Sequence, residues 1–345
     1  MKAIIRKILP LLGVVALYFL LMYLKSIKVM NAYHIQVLMF AGVNIMMTVS
    51  LNIVNGFTGQ FCIGHAGFMS LGAYGASIVT TLIFGGYHVA ENLRIPVFLL
   101  GLLVGGIVAG FVGLLIGIPT LKLKGDYLAI VTLAFGEIVR ATLRLIEPIG
   151  AARGMIGIPA YTNFAWVLFF VVVTLILARN FIYSRYGRAC LAIRDNEIAA
   201  DSMGVNTSKY KIISFVFAAF IAGIAGGLYA HIMSFVQPDT FSFVKSSDYL
   251  VYLYAGGTGS LTGSILGALV LTVLPEALRA FGNLTNWRIV IYAVILVVIM
   301  LYRPLGICGG KELPFLKINR KSLYEKNFFG RNKDRKPEMP ELSER

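Results

Sequence analysis

The chain has 345 residues, of which 58% are hydrophobic and 14% charged, with a mean hydropathy of +0.79. About a quarter of the residues of an average soluble protein are charged, so a soluble enzyme, a disordered chain and a fibrous protein are all excluded, and the composition is that of an all-α polytopic membrane protein. The formal net charge of +15 is not a nucleic-acid footprint, because the basic residues fall between apolar runs and in the C-terminal tail, where they act as topology signals. No nucleic-acid partner is expected.

A helix needs about 20 apolar residues to cross the hydrocarbon core, so stretches free of Asp, Glu, Lys and Arg mark the candidate spans. Residues 8–24, preceded by Lys2, Arg6 and Lys7, give an N-terminal transmembrane helix that is retained, since no small-x-small cleavage site follows it. Residues 29–90 carry no formal charge and accommodate two crossings, separated by the glycine-rich break Asn55-Gly56-Phe57-Thr58-Gly59-Gln60. Residues 95–121 give a fourth crossing. Residues 126–145 give a fifth that carries charge: Glu137, Arg140, Arg144 and Glu147 fall at i, i+3, i+7 and i+10 on one helical face. Charge within a span faces the bundle interior or a watery cavity, so Glu-Arg pairing near the external half of this helix is expected, structural more than substrate-binding. Residues 154–178, 212–238 and 249–275 supply three more spans and 289–302 the last, making about nine or ten transmembrane or re-entrant helices. Trp166 and Trp287 near helix ends read as interface anchors.

The segment 179–211 holds Arg179, Arg185, Arg188, Arg194, Lys209 and Lys211 and is therefore expected to be cytoplasmic. Counting backwards places the N-terminus inside, while counting forwards through simple crossings leaves the basic tail, residues 311–345, outside. Parity is restored if 249–275 is not one helix but breaks at Ala255-Gly256-Gly257-Thr258-Gly259-Ser260. Non-helical backbone at membrane depth must be buried in protein or line a cavity, which makes the break a candidate site. Gly56, Thr58, Gly59 and Gly67 also recur at an offset of 200 residues as Gly256, Thr258, Gly259 and Gly267. Paired interrupted segments of this kind are the pattern of transporters built from internal repeats, chance recurrence of a short glycine motif being the alternative; the span count makes this repeat parallel, and one segment more or fewer inverts it.

Chemistry within the chain is sparse. No Walker A sequence is present, since Gly309-Gly310-Lys311-Glu312 lacks the first glycine and the Ser/Thr that would hold magnesium. There is no H-E-x-x-H and no G-x-S-x-G, and Cys62, Cys190 and Cys308 lack metal-ligand spacing. No catalytic residue, metal site or cofactor is assigned to this chain. The basic segment, however, contains a run from Asp195 to Met203 that reads as a short helix. Asp195 or Asn196 caps its start, Glu197 adds an acidic group to the first turn, and Gly204 stops it in the left-handed conformation. Such a helix is shaped either for a partner's groove or as an amphipathic surface element.

Ala199-Ala200-x3-Gly204 resembles part of the EAA-type coupling loop of ABC importer permeases, with Ile198 where that motif has Glu. Over about residues 35–310 the chain resembles more specifically the branched-chain amino acid permeases of the LivM type. The residues that carry this are Leu51-Asn52-Ile53-Val54-Asn55-Gly56-Phe57-Thr58-Gly59-Gln60, Gly64-His65-Ala66-Gly67-Phe68, Gly125-Asp126-Tyr127-Leu128-Ala129-Ile130-Val131-Thr132-Leu133, Gly136-Glu137-Ile138-Val139-Arg140, Gly226-Gly227-Leu228-Tyr229-Ala230-His231 and Arg303-Pro304-Leu305-Gly306. The chain departs from the family at Gly150-Ala151-Ala152-Arg153-Gly154, where Thr-Gly-Gly is common, and at Cys62, where Ser is frequent.

The resemblance implies a non-catalytic permease subunit in a bacterial inner membrane. Its implied partners are a related second permease, two ATP-binding cassette subunits that hold ATP and Mg, and a periplasmic or lipid-anchored binding protein. Asp195, Glu197, Ala199, Ala200 and Gly204 would form the coupling loop to the ATPases. The candidate substrate pathway comprises Gly56, Thr58, Gly59 and His65 with Gly257, Thr258 and Gly259, because glycine lets backbone approach a substrate and N–H groups at a following helix start favour a carboxylate. Close packing by small residues is the alternative reading of each glycine, and an interior hydrogen bond is that of His65. The expected organisation is an N-terminal helix in 1–30, a permease domain in 31–310 containing the coupling loop 179–211, and a basic cytoplasmic tail. Permeases of the same family for urea or short amides, and an ion-coupled secondary transporter or channel using Glu137, are the competing functions.

Overall fold

A computed structural model describes residues 31–85, 90–123, 125–279, 288–303, 306–308 and 312. The N-terminal span at 8–24, Trp287, residues 309–311 and the tail beyond 312 lie outside the described residues. The described residues are mainly helical: α1 (Ala32–Asn52), α2 (His65–Ser77), α3 (Arg94–Thr120), α4 (Asp126–Leu145), α5 (Phe164–Tyr183), α6 (Arg185–Asp195), α7 (Glu197–Ser202), α8 (Thr207–Met233), α9 (Phe243–Gly256), α10 (Leu261–Arg279) and α11 (Arg288–Tyr302). Among the described residues six helical stretches are long and apolar enough to cross a membrane, so the chain is a multi-pass all-α membrane protein. A two-residue ladder pairs β1 (Met155–Ile156) antiparallel with β2 (Phe235–Val236).

Lipid offers no hydrophobic drive between helices, so they associate by close packing of small residues. The seam between α2, α3 and α8 follows that rule. A Cβ placed on Gly72 would fall 2.1 Å from the carbonyl oxygen of Gly223, one on Gly105 2.5 Å from that of Gly72, and one on Gly226 2.0 Å from that of Met69. The three helices therefore touch backbone to backbone. Around this seam Phe68 packs edge-on against Phe215 at 5.3 Å and tilted against Phe135 at 5.0 Å. His231 lies beneath Tyr161 at 6.1 Å, where its Nδ1 meets the Gly227 carbonyl at 2.7 Å and its Nε2 meets Thr80 Oγ1 at 3.0 Å. A carbonyl can only accept, so Nδ1 carries a proton.

Both expected breaks are present. α1 continues through a wider turn, Ile53–Phe57, and the chain turns before α2; α9 ends at Gly256 and α10 starts at Leu261. Other boundaries differ from expectation. The span placed at 154–178 begins only at Phe164, because Gly154, Gly157 and Pro159 hold 154–163 in an extended path that includes β1. The span placed at 212–238 begins earlier, at Thr207, where Asn206 accepts the Lys209 N–H at 3.0 Å, and ends at Met233. The segment 179–211 is mostly helix: α5 runs on to Tyr183, and the 11-residue α6 precedes the expected short helix. Glu147 lies beyond α4, in the turn Glu147–Ile149, and leaves the helical stripe.

Candidate functional site

The first break is closed by its own polar groups. Thr58 Oγ1 donates to the Ile53 carbonyl at 2.8 Å, and the Gln60 N–H donates to Val54 at 3.0 Å. The side chain of Asn55 straps the following strand of chain, accepting the Cys62 N–H at 3.2 Å. At the start of α2 the Ile63 N–H donates to Thr132 Oγ1 at 3.2 Å and the Ala66 N–H to Ser246 Oγ at 3.0 Å. These donors, expected to be open to a carboxylate, are already taken by α4 and α9. His65 is buried and its Nε2 meets Ser50 Oγ at 2.7 Å, an interior hydrogen bond; its Nδ1 has no partner among the described residues.

The second break is closed from elsewhere in the chain. Gly257 N–H donates to Leu253, while the carbonyls of Ala255 and Gly256 accept the N–H groups of Ile307 and Cys308 at 2.8 and 3.2 Å. Leu261 N–H at the start of α10 donates to Glu312 Oε1 at 3.2 Å. Thr258 is exposed, whereas Thr58 is buried.

The breaks nevertheless meet. Asn52, fully buried at the end of α1, accepts the Gly259 N–H at 2.9 Å on Oδ1 and donates through Nδ2 to the Ser260 carbonyl at 2.9 Å and to Ser264 Oγ at 2.8 Å. A Cβ on Gly56 would fall 2.5 Å from the Gly259 nitrogen. Gly56, Gly59, Gly257 and Gly259 thus belong to one knot, with Thr58 tucked inside it.

That knot lies against α6. Arg194 Nη1 donates to the Gly56 carbonyl at 3.2 Å, and its Nε and Nη2 hold Asp195 Oδ1 at 3.2 and 3.0 Å. Gly59, with φ +74°, brings its backbone so close that a Cβ there would lie 3.2 Å from the Arg194 Cα; only glycine meets both demands. One turn earlier Cys190 packs beside Thr58 and donates to the Tyr210 carbonyl. Burial holds its thiol above the ordinary range.

α6 leads directly into α7. Asn196 is the cap, accepting the Ala199 N–H at 3.0 Å, and Gly204 stops the helix at φ +80°. Ala200 is buried beneath it, whereas Ile198 and Met203 are 74% and 84% exposed. Glu197 Oε1 pairs with Lys211 Nζ at 2.8 Å, tying α7 to the second turn of α8. Asp195 and Ala199 are exposed.

The charge stripe lies on a different part of the molecule. Glu137 pairs with Arg140 at 2.5 Å and its other oxygen accepts the Phe243 N–H at 3.1 Å, so a carboxylate of α4 sits at the N-terminus of α9. Arg144 pairs with Asp239, a residue the sequence pattern had not indicated because it lies outside the helix, and not with Glu147, which is exposed. Asn52 and Arg194 are likewise central to the knot without having been named as site residues, although Asn52 lies within a string that carries the family resemblance and Arg194 within the basic segment.

Comparison with known proteins identifies relatives of the chain. Residues 33–300 match the family described as "Branched-chain amino acid transport system / permease component". The LivM permease protein of the high-affinity branched-chain amino acid transport system of Salmonella typhimurium is 32% identical over 298 residues, covering 76% of this chain and 67% of the relative, and its counterpart from Escherichia coli gives the same values. The LivH permease protein of Salmonella typhimurium is 31% identical over 148 residues, 43% of this chain and 47% of its own length. No solved structure matches. With its six apolar spans, its paired helix breaks and a family match across most of its length, the chain belongs to the branched-chain amino acid transport permease family.

Proposed function

We propose that this chain is the non-catalytic, membrane-spanning subunit of an ATP-driven importer for branched-chain amino acids (leucine, isoleucine and valine). It works with a related second permease, two ATPase subunits that bind ATP and Mg, and an extracytoplasmic binding protein. The end bearing α6 and α7 is cytoplasmic, as are both termini, and the protein resides in the bacterial inner membrane. Residues 31–310 form its permease domain.

The observation that carries this reading is α7: a capped helix anchored by buried Ala200 yet presenting Ile198 and Met203 to the outside. Exposed apolar side chains on a fixed short helix suit insertion into a partner's groove. The ion-coupled alternative is disfavoured by Glu137, whose carboxylate is already committed to Arg140 and the α9 N-terminus.

The test is co-purification of the transporter subunits from mild detergent. Ile198→Glu and Met203→Glu change exposed positions and leave the permease folded, so loss of the ATPase from these variants with an unchanged elution profile is expected. Uptake of leucine against urea in proteoliposomes then separates the two substrate classes. A permease that purifies alone and transports without ATP overturns the reading.

A further inference from the structure

α6 meets the first helix break through Arg194 and, one turn earlier on the same face, Cys190. Arg194 is the polar member. Its guanidinium sits at the carbonyl end of α1, where the unsatisfied carbonyls favour a cation. It reaches the Gly56 carbonyl at 3.2 Å, while a Cβ on Gly259 would fall 3.2 Å from its Nη1. Its remaining donors hold Asp195, the last residue of α6 before α7 begins. One side chain therefore touches the end of α1, the turn before α10 and the junction of α6 with α7. Asn52 locks the two breaks to each other, so a displacement applied at Gly56 is shared by Gly259.

We infer that Arg194 is a positioning residue that transmits motion of the α6–α7 segment to both helix breaks, so that a load on α7 moves α1 and α10 together. This rests on the reading of α7 as the element that docks to an ATPase. The contact surface is arranged for it. The Gly59 backbone is held against the Arg194 Cα with no side chain between them, so α6 cannot approach the break without pushing it, and the hydrogen bond to Gly56 lets α6 pull it back. Asp195 keeps the guanidinium in register when α7 shifts. A merely structural role would require only packing, which the aliphatic stem of a lysine or a glutamine also supplies.

The experiment uses the full transporter reconstituted in proteoliposomes, comparing wild type with Arg194→Gln, Arg194→Lys and Gly59→Ala. Subunit recovery, melting temperature, ATP hydrolysis and leucine uptake are read in the same preparations. Arg194→Gln should retain the ATPase on co-purification and keep hydrolysing ATP, while uptake per ATP hydrolysed falls about tenfold or more. Arg194→Lys should recover part of that ratio, because it restores the charge at the α1 carbonyls without the fork to Asp195. Gly59→Ala, which wedges α6 away from the break, should lower the same ratio through the opposite partner.

Uptake per ATP within about twofold of wild type in both Arg194→Gln and Gly59→Ala overturns the inference and leaves the importer reading intact. Loss of assembled complex in Arg194→Gln with normal coupling in whatever complex remains also overturns it, since the residue then serves only folding. A wild-type chain that recovers no ATPase removes the reading on which the inference rests, and the inference falls with it.

Discussion

Asn52→Ala removes the buried side chain that hydrogen-bonds the first helix break to the second. Three hydrogen bonds vanish, to Gly259 N–H, the Ser260 carbonyl and Ser264 Oγ. The consequences are unequal. The Ser260 carbonyl still accepts from Ser264, and the Ser264 hydroxyl still donates to it, so these two keep a partner. The Gly259 N–H is left bare beside Gly56. An orphaned donor costs about 1–3 kcal/mol when buried, so the half-buried Gly259 N–H takes the lower end, about 1 kcal/mol, and each of the other two bonds about 0.5–1.5 kcal/mol. The sum is about 2–4 kcal/mol, and at roughly 2 °C per kcal/mol for a chain of this size the melting temperature should fall by roughly 4–8 °C. Asn52→Asp isolates the donor role: Oδ1 still accepts from Gly259, but the second oxygen now faces the Ser260 carbonyl, so it should not rescue. Thermal unfolding in detergent gives the first readout, and hydrogen exchange of peptides spanning 257–264 the second. A melting shift of about 1 °C or less with unchanged exchange there would refute the reasoning, since it would mean the knot forms without Asn52.

Two further outcomes follow from packing and burial. Gly223→Ala places a Cβ 2.7 Å from both the Ala109 Cβ and the Gly105 carbonyl oxygen, whereas at Gly110 the nearest neighbour is 3.6 Å away; the first substitution should cost about 1–3 kcal/mol by overpacking and lower the yield of monodisperse protein on size exclusion, and Gly110→Ala should be neutral. The Cys190 thiol, buried against Tyr210 and raised above the ordinary range, should resist a maleimide at neutral pH and label readily once the protein is unfolded. Because the folded value is the raised one, its stabilising contribution is complete below the free thiol's ordinary pKa and is lost as pH climbs through the raised value, so labelling of the folded protein should begin only on the alkaline side.

Features set by neighbours along the chain were legible in the sequence. The Asn196 cap, the Gly204 stop, both glycine-rich breaks and the Glu137–Arg140 pair depend on residues within a few positions of one another. The boundaries that went astray expose the weakness of charge as a ruler. It does not register Gly157 and Pro159, which end a helix without carrying charge, and it over-registers Lys211, whose ammonium is neutralised by Glu197 inside a regular helix. The meeting of the two breaks under Arg194 was not legible, because a hydrogen bond from residue 52 to residue 259 leaves no periodic trace. The 200-residue repeat had marked both partners without saying that they touch. The seam could have been found from glycine spacing alone, since Gly101, Gly105, Gly113 and Gly117 of α3 recur every four or eight residues toward one side.

That seam has a consequence for biosynthesis. Gly72 and Gly105 are made early, but the surface they fit is supplied by Gly223 and Gly226, which emerge only after α4 to α7 have been threaded. Until α8 enters the bilayer, α2 and α3 must wait with a bare backbone groove turned toward lipid. Acyl chains fill such a groove poorly, so the insertion of α8 is the step that commits the bundle to its final form, and a chain cut short before Gly223 would be an orphan for membrane quality control to remove.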